Sequence, residues 1–194
     1  MQLYNDLPLI YLDVNDDEEG INRISLVERP AIEKNFITLS KEYKLVKNDS
    51  NHTVYGALLI PDQPIYRRNG KEEYYIAFSK NAIENLASKM IRDGSAVNVD
   101  TNHNQKDISD GTIYPISIWV TNSKIEKIEG FEDIPDGSLM IEYKVTSEDL
   151  FNEITNDYKG FSIEAVLSPT NATALSEDER KEAEMIYNQI KHLK

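Results

Sequence analysis

The apolar residues of this chain come mostly in short runs closed by proline, glycine or Asx turn signals, and that spacing constrains the fold more than any other feature. Thr53 to Ile60 is rich in β-formers and stops at Pro61-Asp62, and Glu73 to Phe78 follows the turn signal Asn69-Gly70. Thr112 to Val120 is broken at Pro115, and Leu139 to Val145 follows Pro135-Asp136-Gly137. Runs bounded in this way read as strands. The first two predict a hairpin with a long tip. Pro115 predicts an edge strand or a bulge, because proline has no N–H to give to a ladder. Leu9 to Val14 reads as a further strand, closed by the acidic stretch DDEEG, which is expected to be a solvated turn; Val97 to Val99 begins another. Pro30 interrupts any helix through RISLVERPAIEKNFITLS, so extended segments or a loop are expected there.

Helical periodicity is confined to a few places. Ser79 stands at an N-cap position before KNAIENLASKMIRDG, where Ile83, Leu86, Ala87, Met90 and Ile91 share a face and Gly94 marks the end. Ser147 caps a short helix carrying Leu150, Phe151 and Ile154. Ser176 and Glu179 form a capping box ahead of a stripe of Ala183, Ile186, Ile190 and Leu193. Strands outnumber helices and come as antiparallel-looking pairs separated by isolated helices. The expected class is therefore α+β: a small, mostly antiparallel β-barrel or strongly curved sheet with surrounding helices. A chain of 194 residues suits a single domain, with residues 1–50 as an N-terminal extension and 176–193 as a C-terminal helix.

The formal charge of −13 argues against a general affinity for nucleic acid or anionic membrane, both of which need clustered Lys and Arg. The absence of cysteine removes disulfides, thiol nucleophiles and Cys-ligated zinc together. MQLYNDLPLIYLDV has neither a basic start nor a long apolar run, so a soluble intracellular protein is expected. The sequons at Asn48, Asn51 and Asn171 are read as chance in that setting.

Three histidines limit the choice of a general base. His52 and His192 read as surface residues. His103 lies in VNVDTNHNQKD, just beyond an apolar strand, where a loop on a rigid element presents an imidazole. Asp100, Asn102 and Asn104 of that stretch open like an EF-hand loop, but Gln105 occupies the glycine position and Gly111 the bidentate glutamate position, so no metal site is expected. In KGFSIEAVLSPT, Ser162, Glu164 and Val166 alternate with Ile163, Ala165 and Leu167, which puts a hydroxyl and a carboxylate on one strand face. By periodicity alone, Ser162 is a small residue on a half-buried strand.

Several segments in order resemble the phage prohead (capsid maturation) serine proteases, in the variant seen in phage-like elements, whose fold is similar to the herpesvirus assemblins. They are ISLVERPAIEKNF, YGALLIPDQPIYR, YYIAFSKNAIENLASKM, the histidine in VNVDTNHN, ISIWV, IPDGSLMIEYKV and GFSIEA, covering roughly residues 20 to 168. The resemblance implies a small β-barrel with surrounding helices and a serine endopeptidase with Ser162 as nucleophile and His103 as base. It implies action in the host cytoplasm, inside the immature capsid, on scaffold and major capsid proteins, with self-association as a homo-oligomer and no cofactor. Related sequences often carry an acid just before the serine-tryptophan pair of the tryptophan strand, where this chain reads Pro115-Ile116-Ser117-Ile118-Trp119. Glu164 is the substitute for the third member, ahead of Asp100 and Asp107, because it shares the strand face of Ser162. The alternative is a non-catalytic capsid-assembly or scaffold-associated protein that retains the protease fold.

Overall fold

The computed structural model describes residues 2–15, 17–28, 43–69, 72–104, 108, 111–125 and 128–169. The expected helix at 176–193, His192, Asp107, Pro30 and Asn171 lie outside them. The described chain is α+β and mostly strands. In order it runs β1 (Gln2–Tyr4), β2 (Leu7–Asp13), β3 (Gly20–Val27), β4 (Val46–Asn48), β5 (Thr53–Leu59), β6 (Ile65–Asn69) and β7 (Glu72–Ala77). Helix α1 (Lys80–Asp93) and a 3-10 turn (Ser95–Val97) lead to β8 (Val99–Thr101), β9 (Ile113–Val120) and β10 (Leu139–Val145). Helix α2 (Glu148–Asp157), β11 (Gly160–Val166) and β12 (Ser168–Pro169) complete it.

The strands form three sheets, ordered β1-β2-β7-β6 with β12 also on β2, β4-β5-β10-β9, and β11-β3-β8. Pairing is antiparallel except for β2 with β7 and β3 with β8. No ladder joins one sheet to the next among the described residues, so the sheets do not close into a barrel. Pro115 shows one reason: it lies on edge strand β9, beside an irregularity in the β9–β10 register, and has no N–H for a further strand. The edge-or-bulge expectation for Pro115 therefore holds in both respects.

The expected hairpin between Thr53–Ile60 and Glu73–Phe78 does not form. β5 lies between β4 and β10, whereas β7 lies between β2 and β6. The Asn69-Gly70 signal belongs to the β6–β7 hairpin, and β6, IYRRN, has too few apolar residues to be read as a strand. The acidic turn also differs from expectation. Glu19 is buried, and its carboxylate accepts hydrogen bonds from the Asn15 amide and the Ser168 hydroxyl.

Helix α1 follows its sequence closely. The Ser79 hydroxyl accepts the Ala82 N–H at 3.1 Å, and Gly94, at φ 69°, returns its own N–H to Met90. Ile83, Leu86 and Met90 enter the main core with Val99, Ile141 and Phe161, while Ile91, expected on the same stripe, is 58% exposed. Lys89 is buried along its stem, and its ammonium reaches the Asp17 carbonyl and Asp93. Helix α2 is capped by Ser147, with Phe151 and Ile154 inward. Gly56 on β5 lets β11 approach closely: a Cβ there would stand 3.3 Å from the Phe161 ring and 3.0 Å from Leu45. Phe161 is thereby seated in the core and fixes the phase of the strand that carries Ser162.

Candidate active site

The strands of the β11-β3-β8 sheet bring together residues far apart in the chain. In the β3–β11 register Ser162 faces Ser25 and Glu164 faces Arg23, and in the parallel β3–β8 register Ser25 faces Asp100. Directly opposed residues share a sheet face, so Ser162, Ser25 and Asp100 form a polar row across all three strands, with Arg23 and Glu164 in the next row. The alternate positions, Phe161, Leu26, Ile24 and Val99, are buried in the core. Burial of this second face fixes the register, because a one-residue slip would exchange the two faces.

His103 reaches this face through an unusual turn. Asn102 and His103 both have positive φ, 51° and 56°, a left-handed conformation that is uncommon for residues with a Cβ. The turn is held at several points. The Asn102 amide donates to the Leu26 carbonyl at 2.8 Å, and the Asn104 side chain donates to Thr101 Oγ1 at 2.9 Å. The Asn102 side chain also exchanges hydrogen bonds with Glu28. Backbone strain maintained by surrounding bonds marks a position whose side-chain direction matters.

The result is an imidazole held between a hydroxyl and a carboxylate. His103 Nδ1 lies 2.9 Å from Ser25 Oγ and 3.7 Å from Glu164 Oε1. Glu164 in turn places Oε2 4.0 Å from Arg23 Nε. Arg23 Nη1 is buried and has no hydrogen-bond partner among the described residues. Ser25 is wholly buried, whereas Ser162 is half-buried and the His103 and Glu164 side chains are 39% and 37% exposed.

Of the residues expected from sequence, His103 and Glu164 meet directly, and Ser162 stands across the strand pair from the serine that His103 touches. No hydrogen bond joins Ser162 to His103 among the described residues. Asp100 is fully buried in the same polar row. Sequence reasoning missed Ser25 and Arg23. Their signal is the period-two alternation in RISLV, which puts Arg23, Ser25 and Val27 on one face, but a serine within an apolar strand carries no mark of its own. His52 is occupied otherwise, its ring stacked on Phe151 at 4.7 Å between centroids. No group of three His, Asp or Glu side chains is placed to hold a metal ion among the described residues. No described helix is long and apolar enough to cross a membrane.

Comparison with protein-family models, with curated proteins and with solved structures finds no match to this chain.

Proposed function

We propose that the protein is a serine endopeptidase in which Ser162 is the nucleophile, His103 the general base and Glu164 the group that orients and stabilises the imidazolium. The observation that carries this reading is the position of the His103 Nδ1 edge, between Ser25 Oγ and Glu164 Oε1, on the face that bears Ser162. With the Nδ1 proton directed at Ser25 and Glu164, the opposite nitrogen Nε2 carries the lone pair, as a base needs. Ser162 then loses its proton to Nε2 as its Oγ attacks a peptide carbonyl. The tetrahedral adduct collapses when His103 returns the proton to the leaving amine, and water repeats the sequence on the acyl-enzyme. Catalytic contacts often tighten only when substrate is bound, so the missing Ser162–His103 bond is compatible with this role.

The ordered resemblance to prohead proteases supports scaffold and capsid proteins as substrates and the immature capsid as the place of action. The barrel that the same resemblance implies would need further edges to pair, and the chemistry proposed here needs only β3, β8 and β11. A second reading, a non-catalytic assembly protein on the protease fold, is favoured by one fact: the hydroxyl bonded to His103 belongs to Ser25.

A fluorophosphonate probe separates these readings. Covalent labelling of the wild type at Ser162, lost in Ser162→Ala and kept in Ser25→Ala, is the expected result. An unlabelled wild-type protein supports the assembly reading, and adduct formation on Ser25 would reverse the roles of the two serines.

A further inference from the structure

A cavity of about 370 Å³ opens beside Ser162, between β11 and the sheet that carries β2, β6 and β7. Its wall includes Ile10, Leu12, Leu58, Ile65, Ile76 and Leu167, and the polar exceptions are Ser162, Glu164, Tyr74 and Arg67. Such a volume with an apolar lining and a few convergent polar groups has the character of a ligand pocket.

Arg67 is the informative residue. It projects from β6 and is half-buried, and its Nη1 donates to the carbonyl of adjacent Tyr66 at 2.9 Å, with no further hydrogen bond of the guanidinium among the described residues. It makes no ion pair among the described residues, while Glu164 on the same wall is engaged by His103 and Arg23. Burial lowers the Arg67 pKa, the sign of a charge held away from water. A guanidinium in this condition gains most from an anion that comes with its own apolar body, because the two parts together desolvate the site.

We propose that this cavity binds an apolar chain bearing a carboxylate, with the hydrocarbon against β2, β7 and β11 and the anion on Arg67. Resting on the endopeptidase reading, the source is a substrate peptide in which an acidic residue adjoins a large apolar one near the bond presented to Ser162.

Calorimetric titration tests the pocket without requiring turnover. The probes are 5-phenylpentanoate and its uncharged amide, added to the wild type and to Arg67→Met. The acid should bind about tenfold more tightly than the amide to the wild type, and Arg67→Met should erase the difference. Equal affinities in the wild type, which needs no variant to fold, or an acid preference that survives in Arg67→Met, overturns the anion site. Fluorescent decapeptides containing Phe-Glu or Phe-Gln, bound to Ser162→Ala, test the source. Preference for Phe-Glu supports a substrate subsite, and equal peptide binding alongside acid selectivity overturns it in favour of a free carboxylic acid. Acid selectivity in a protein that the fluorophosphonate labels on neither Ser162 nor Ser25 leaves the cavity standing and removes the endopeptidase reading.

Discussion

Ser25 and Ser162 stand opposite each other on paired strands, yet their surroundings suit them to different work. A wholly buried hydroxyl has no path to a peptide carbonyl, whereas one on a half-buried edge strand does. On the proposed endopeptidase reading Ser25 positions His103, and Ser25→Ala should lower kcat about tenfold with KM within about twofold, the loss expected for one oriented hydrogen bond. Equal effects on kcat and KM, or on the thermal midpoint alone, would reduce Ser25 to packing. Glu164→Gln should lower kcat by about a hundredfold, and combining it with Ser25→Ala should add less than the product of the two, because both act through one imidazole. Multiplying effects in steady-state kinetics would separate them. Alternation put Ser162 and Glu164 on one strand face and residue type singled out His103, which the structure places beside Glu164, whereas the nucleophile role of Ser162 came only from the resemblance. Ser25 was not legible in the sequence, since its role depends on a cross-strand register with no local trace.

At the level of elements, Gly56 and Ser79 allow a comparison. Gly56→Ala should cost about 1–3 kcal/mol of stability, because its new methyl meets the Phe161 ring and Leu45, and should also slow fluorophosphonate labelling by displacing β11. Ser79→Ala should cost about 1 kcal/mol through its lost cap and leave labelling unchanged. Urea unfolding together with labelling rates checks both; a Gly56→Ala protein labelled at the wild-type rate would separate β11 from the glycine. Helix α1 was legible because its cap, stripe and terminating glycine are local. The pairing of β5 with β10 rather than β7 was not, because both candidate partners have the same β-rich composition and the choice lies in long-range packing. β6 escaped because its two central arginines, one of them in the cavity wall, mask the strand pattern.

For the molecule as a whole, a buried phenol links stability to alkaline pH. Burial raises the Tyr143 pKa far above its ordinary value of 10.0, and its hydroxyl donates to the Ala96 carbonyl at 2.7 Å. The folded state therefore retains a proton that the unfolded chain releases. The contribution is complete below the unfolded pKa, declines as pH rises past 10 and is lost through the folded value. Tyr143→Phe should cost about 1 kcal/mol at neutral pH and recover part of it above about pH 11. Parallel stability–pH curves for the two proteins, measured by urea unfolding, would refute the linkage; Tyr74 and Tyr158, also raised by burial, keep the variant's curve from being flat. The pairing of β3 with β11 has a consequence in time. Gly20–Val27 leaves the ribosome early and Gly160–Val166 late, so the histidine and the early strand wait for the serine, and a nascent chain shorter than β11 holds no complete site. For the endopeptidase proposed above, synthesis order itself would then keep hydrolysis silent until β11 has been made.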